Sequence, residues 1–138
     1  MHGFPRLRRN SSVAAAAVLV NERGQALVLK RGVTAPWLPG YWNLPGGSVD
    51  LGESPKHAAQ RETEEEIELS PRNLRPLADW HDPEGWTLHT FWSTSWTGEP
   101  RVTWESDGFA WIGQAEVGHY RFVPGVAETL RAAFKLVA

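Results

Sequence analysis

The sequence predicts a mixed α/β fold, a β-sheet with helices packed against it. Two apolar, strand-like runs at 13–20 and 25–31 flank the turn "NERG", the segment after Ser54-Pro55 has a strong helix start, and a second helical stretch follows "VPG" near the C-terminus. Short strand-like stretches fill the interval between the helices. No internal repeat or low-complexity linker divides the 138 residues, so they read as one domain.

Taken in order, residues 1–11 are polar and basic and are expected to form a loosely held tail ahead of a domain over 12–138. Arginines before the first apolar run give it a superficial likeness to a secretory signal. The run is short, however, and leads through "NERG" into "QALVLKR", the partner it needs as one arm of a hairpin. "GVTAPWLPGYWNLPGG" has too many glycines and prolines for a continuous helix or strand, which predicts a long shaped loop of a kind that often carries function. Ser54 can cap orphan amides and Pro55 is pre-organised for the first helical position. That helix should run from Pro55 to about Ile67 and stop at "SPRN", because Pro71 disfavours a helical Ser70. Strands are expected at 74–81, 86–97 and 109–112, and a final helix at 126–136.

Composition narrows the function classes. Fourteen basic against 16 acidic residues leave a net charge of −2, with no global field to attract nucleic acid or a membrane surface. No run approaches the roughly 20 apolar residues that span a bilayer. Zero cysteines exclude disulfides, thiolate metal sites and cysteine nucleophiles, which fits a reducing, cytoplasmic setting. The five histidines show no metal-ligand spacing.

The charge that exists is concentrated. "LPGGSVDLGESPKHAAQRETEEEIEL" holds Glu62, Glu64, Glu65, Glu66 and Glu68 on one short helix. Glu62, Glu65 and Glu66 are related as i, i+3 and i+4 and share a face, with Ala59, Thr63 and Ile67 as a neighbouring stripe toward the core. Each like-charged pair at this spacing costs roughly 0.2–0.5 kcal/mol on an exposed helix, and more when partly buried. A hard divalent cation removes that repulsion, and Mg²⁺ takes a few carboxylates while recruiting waters and phosphate oxygens. The bland alternative is a solvated acidic face laced with pairs such as Arg61 to Glu65. Gly46, Gly47 and Gly52 favour the first reading, since they let the backbone approach the carboxylates, where a glycine carbonyl can add a ligand.

Together these residues resemble the box of the Nudix hydrolases in their MutT-like, single-domain form: Gly47, then Glu53, then Arg61-Glu62, Thr63, Glu64, Glu65-Glu66, Ile67, Glu68 and Leu69, with "YWNLPGG" as a familiar lead-in. Two positions depart from the pattern. Thr63 replaces an aliphatic residue, its methyl still able to pack while its hydroxyl bonds back to the previous turn. Glu68 replaces the glycine that caps the helix in the left-handed conformation, at a cost of about 1–2 kcal/mol for a residue with a side chain. The expectation is therefore a different cap or slight fraying, with the glutamate face upstream left intact.

The resemblance implies a sandwich of helices around a mixed sheet, and Mg²⁺-dependent hydrolysis, with Mn²⁺ as a substitute, of a nucleoside diphosphate linked to another group. Carried over by position, Glu62, Glu65 and Glu66 hold the metal with the Gly46 carbonyl, and Glu53 pairs with Arg61 to brace loop and helix. The base that deprotonates water is Glu65 or Glu105 of "TWESDGFAW". Arg31 stands where a phosphate-contacting arginine is often found. An ordinary or oxidised (d)NTP is the first expectation for substrate, followed by a nucleotide sugar or a dinucleoside polyphosphate. A module that senses a nucleotide without cleaving it is the alternative of a different class. Among eight tryptophans, Trp86, Trp92 and Trp96 at even spacing on one predicted strand read as core or support, with an aromatic wall for a base as the alternative, and Trp37, Trp42 and Trp80 in or near loops are the better candidates for base contact.

Overall fold

The computed structural model describes residues 12–103 and 106–137. The expected tail at 1–11 lies outside them. The first strand, β1 (Val13–Leu19), is buried along nearly its whole length, which is why its sequence is continuously apolar rather than alternating. It pairs in parallel with β7 (Thr87–Ser93) and antiparallel with β4 (Gly46–Ser48), and β6 (Arg75–His81) closes that sheet in the order β4-β1-β7-β6. A second sheet runs β3-β2-β9, where β2 is Ala26–Arg31, β3 Trp42–Asn43 and β9 Ser106–Ile112. A third, of two strands, pairs β5 (Ser70–Arg72) with β8 (Ser95–Thr97).

Two helices sandwich the main sheet. Ala16, Val18 and Val20 pack with Leu130, Ala133 and Phe134 of α2 (Val126–Val137). The alternate residues Ala15, Ala17 and Leu19 pack with Ala58, Ala59 and Ile67 of α1 (Pro55–Ile67). A short 3₁₀ helix, Gln114–His119, precedes α2. Among the described residues no helix is long and apolar enough to cross a membrane.

Four expectations need correction. The two arms expected to pair as a hairpin, β1 and β2, instead lie in different sheets and pair only at the Val20–Ala26 bridge, because each finds its partners elsewhere in the chain. The glycine- and proline-rich stretch contains β3 and β4, strands of two and three residues that exist through their partners: Asn43 faces Leu29, and Gly46 faces Ala16. A β-carbon on Gly46 would collide with the Ala15 carbonyl oxygen, so glycine is what permits β4 to pair. The strand expected at 86–97 is two strands parted at Thr94, because β8 leaves β7 to pair with β5. The helix ends at Ile67 as expected, but its cap is not the one expected. Glu68 itself takes the left-handed cap, with φ 58° and ψ 35°, and its amide donates to the Glu64 carbonyl. The helix therefore keeps the cap geometry of a glycine with a glutamate in it, rather than a different cap or a frayed end.

Candidate active site

The N-terminus of α1 forms as its sequence requires: Ser54 Oγ accepts from the His57 amide at 3.1 Å and Pro55 opens the first turn. Thr63 is buried and its hydroxyl donates to the Ala59 carbonyl at 2.7 Å. This seats α1 on the sheet with Glu62 fully buried at its edge, while Glu66 is half-buried and Glu65 exposed.

The glycine loop closes on that edge. The Gly46 amide donates to Glu66 Oε1 at 2.7 Å. Gly47 lies so near Glu62 that an added β-carbon would be 2.5 Å from its carboxylate carbon. Consecutive loop residues thus meet two carboxylates one helical turn apart.

Arg61 joins the loop to the helix. Its Nε donates to Glu53 Oε2 at 2.8 Å and its Nη2 to Glu53 Oε1 at 2.9 Å, a bidentate fork, while Nη2 also reaches the Ser48 carbonyl at 3.0 Å. Its Nη1 donates to Glu62 Oε2 at 2.9 Å and lies 3.4 Å from Glu65 Oε2. Asp50 Oδ2 is 3.6 Å from Nη2. Glu53 is further held by the Asp50 amide at 3.0 Å and by His57 Nδ1 at 2.7 Å. The Arg61 hydrogen bonds hold the Glu53 carboxyl at about 2, far below the usual carboxylate range and against the opposing effect of burial. Glu53 in turn, and then Glu62, raise the Arg61 pKa above its ordinary value. Asp50, Ser48 and His57 were absent from the sequence-based candidates, and nothing in their spacing distinguishes them from ordinary loop and helix residues.

Among the described residues no group of three or more His, Asp or Glu side chains is arranged as a metal-ligand set. Glu62 and Glu65 are turned to Arg61, and Glu66 to the Gly46 amide. The candidate donors, three carboxylates and a glycine carbonyl, are nonetheless hard oxygens without exception, gathered on one loop-helix junction. That chemistry suits Mg²⁺ or Mn²⁺ rather than a softer metal. Glu105 lies outside the described residues.

A cleft of about 430 Å³ opens on the α2 side of the sheet, lined by Trp37, Asn43, Trp80, Trp86, Leu88 and Thr129 among others. Its link to the glutamate face is through the backbone of the sheet: Ala16, which lines the cleft, pairs with Gly46, whose amide holds Glu66 on the α1 side. Trp80 is fixed as a wall: its indole N–H donates to Thr129 Oγ1 at 3.1 Å, and the Thr129 hydroxyl donates to the Gly125 carbonyl at 2.8 Å. Asn43 Oδ1 accepts from the Leu44 amide at 2.8 Å, which fixes the orientation of its side-chain amide.

Trp92 and Trp96 pack against the core, and no aromatic wall of Trp86, Trp92 and Trp96 forms. Trp92 packs into the α2-side core beneath Arg75, whereas Trp96 stacks on Trp111 at 5.5 Å on the α1 side. Trp42 is not a cleft residue; it meets Tyr120 edge-on at 5.0 Å. Arg31 lies 5.4 Å over Trp37 and its Nε donates to the Trp37 carbonyl at 2.8 Å, which ties down the loop. Burial lowers the Arg31 pKa, and the nearby Glu66 charge opposes that change.

The family model described as NUDIX domain matches residues 10–133. The 8-oxo-dGTP diphosphatase of Escherichia coli (strain K12) is 28% identical over 97 residues, covering 68% of this chain and 72% of that protein. A putative 8-oxo-dGTP diphosphatase 2 of Mycobacterium tuberculosis (strain ATCC 25618 / H37Rv) is 32% identical over 119 residues, covering 83% of this chain and 82% of that one. Among solved structures, the NUDIX domain of Shewanella oneidensis NrtR complexed with ADP ribose superposes with a TM-score of 0.76 at 19% identity, covering 96% of this chain and 89% of that one, a likeness of fold.

Proposed function

This chain belongs to the NUDIX family and is a pyrophosphohydrolase, and from that premise we propose that it cleaves an ordinary or oxidised (d)NTP with the help of Mg²⁺. The observation that carries the proposal is the set of hard oxygen donors gathered where the glycine loop meets α1. A carboxylate cluster that can take a cation and phosphates is joined, through the β1–β4 pairing, to a cleft on the α2 side of the sheet whose tryptophans can take a flat base. Relatives named as 8-oxo-dGTP diphosphatases favour a nucleoside triphosphate over other substrates.

In this reading Glu62, Glu65 and Glu66 hold the cation with the Gly46 carbonyl. A bound cation supplies charge neutralisation for the phosphates and an acidified water. Glu53 and Arg61 fix the spacing of loop and helix. Arg31, anchored to the loop by its Nε, presents positive charge toward the phosphates. Either Glu65 or Glu105 accepts the water's proton. Trp37, Trp80 and Trp86 supply the faces on which a base stacks, with the Asn43 amide as a polar contact.

The ADP-ribose complex of a protein with the same fold favours a second reading, a nucleoside diphosphate joined to a sugar. Incubation with Mg²⁺ and a panel of (d)NTPs, oxidised nucleotides, nucleotide sugars and dinucleoside polyphosphates, with product identification, separates the two. Preferential cleavage of a triphosphate is expected, with loss of cleavage in Glu66→Gln. Preferential cleavage of a nucleotide sugar would replace the first reading by the second, and nucleotide binding without turnover would point to a sensor.

A further inference from the structure

We infer that Arg61 is the internal counter-ion of the glutamate cluster, and that its Nη1 competes with the divalent cation for Glu62 and Glu65. The inference rests on the metal reading above and adds an opposing role for a residue so far assigned only as a brace.

The geometry divides the guanidinium into two parts. Nε and Nη2 are committed to Glu53 and the Ser48 carbonyl, contacts that tie the loop to the helix. Nη1 points the other way, to Glu62 Oε2 at 2.9 Å and Glu65 Oε2 at 3.4 Å. Glu62 is fully buried, and a buried carboxylate without a partner is strongly disfavoured, so a cation of some kind must face it. In this structure the facing cation is Arg61.

A divalent ion held by Glu62 and Glu65 would draw on the same carboxylate oxygens. It would compete with the Nη1 donor for those lone pairs and place its charge against the guanidinium. Arg61 cannot simply swing clear, because Glu53 grips it at two nitrogens and its side chain is only 19% exposed. Because the guanidinium is a rigid plane, Nη1 cannot leave while the Glu53 fork stays closed, so metal uptake requires the Glu62 and Glu65 oxygens to turn from Nη1 to the cation. Competition of this kind is a coupling between two ligands of one site, and it is reciprocal: the cation loosens Nη1 by the factor by which Nη1 weakens the cation. Arg61 is thus a positioning residue that also sets an upper limit on metal affinity.

Two measurements test this, neither of them turnover. Mn²⁺ binding followed by electron paramagnetic resonance should be tighter in Arg61→Gln than in the unaltered protein, by at least about fivefold, although the brace is lost. In the unaltered protein, Mg²⁺ should shift the Arg61 Nη1 proton resonances while leaving the Nε resonance in place, a readout that survives if the variant fails to fold. Weaker or equal Mn²⁺ binding in the folded variant, or unmoved Nη1 resonances on Mg²⁺ saturation, would overturn the inference while leaving the metal reading intact. No Mn²⁺ binding by the unaltered protein would overturn both.

Discussion

A methyl group at Gly47 would lie 2.5 Å from the Glu62 carboxylate, closer than real side chains approach one another. Glu62 is fully buried and held by Arg61, so it has little freedom to retreat. Gly47→Ala should therefore destabilise the protein by about 1–3 kcal/mol and reduce metal-dependent activity, since overpacking is relieved only by displacing the carboxylate. Urea unfolding and Mn²⁺ affinity measured on the same variant check both parts.

The Glu53 carboxyl gives a signed pH dependence. Its folded-state pKa of about 2 lies below the ordinary value of 4.5, so the stability it contributes is fully present above about pH 4.5 and is lost as the pH falls toward 2. One extra proton bound by the unfolded chain gives a slope of at most about 1.4 kcal/mol per pH unit across that window. Glu53→Gln should remove this component, so its unfolding free energy falls less steeply with acidification than that of the unaltered protein.

Glu68 sits at φ 58°, where a residue with a side chain is strained. Its ion pair with Arg101, at 3.8 Å and largely exposed, returns little. Glu68→Gly should stabilise the protein by about 0.5–1 kcal/mol, the relief of strain being partly offset by the greater freedom of glycine in the unfolded chain. Glu68→Ala, which keeps the strain, should not. Chemical denaturation of the pair distinguishes them, and turnover should be unchanged in both.

Trp86 lines the cleft beside Trp37 and Trp80. If it stacks a base, Trp86→Ala should raise KM by roughly five- to a hundredfold with kcat nearly unchanged, in keeping with a stacking contribution of about 1–3 kcal/mol. Steady-state kinetics on the preferred substrate checks this. A lower Tm with unaltered KM would make Trp86 a support for the turn between β6 and β7 instead.

What the sequence made legible was whatever is determined locally. Ser54 and Pro55 announce α1 within two residues, and the i, i+3, i+4 relation of Glu62, Glu65 and Glu66 puts them on one face whatever surrounds them. The misses were decided at a distance. β3 and β4 have no strand signature of their own and are defined by β2 and β1. Trp92 and Trp96 are evenly spaced, yet Ser93 turns its hydroxyl to the Ser95 backbone and to Arg72, and β8 departs for β5 with Trp96 on the other side of the sheet. The absence of glycine at position 68 was legible, but its outcome was not. The Arg101 amide donates to the Ile67 carbonyl at 2.9 Å and the Thr103 hydroxyl to the Glu66 carbonyl at 2.8 Å, so a segment distant in sequence holds the helix end in its strained form.

The most direct test of the central claim is turnover of the preferred nucleotide in H₂¹⁸O with Mg²⁺, with the products resolved by mass. Cleavage at a pyrophosphate bond is expected, with one ¹⁸O in a phosphate product, and neither in Glu66→Gln. Cleavage that persists undiminished in Glu66→Gln, or in a preparation freed of divalent cations, would contradict the assignment.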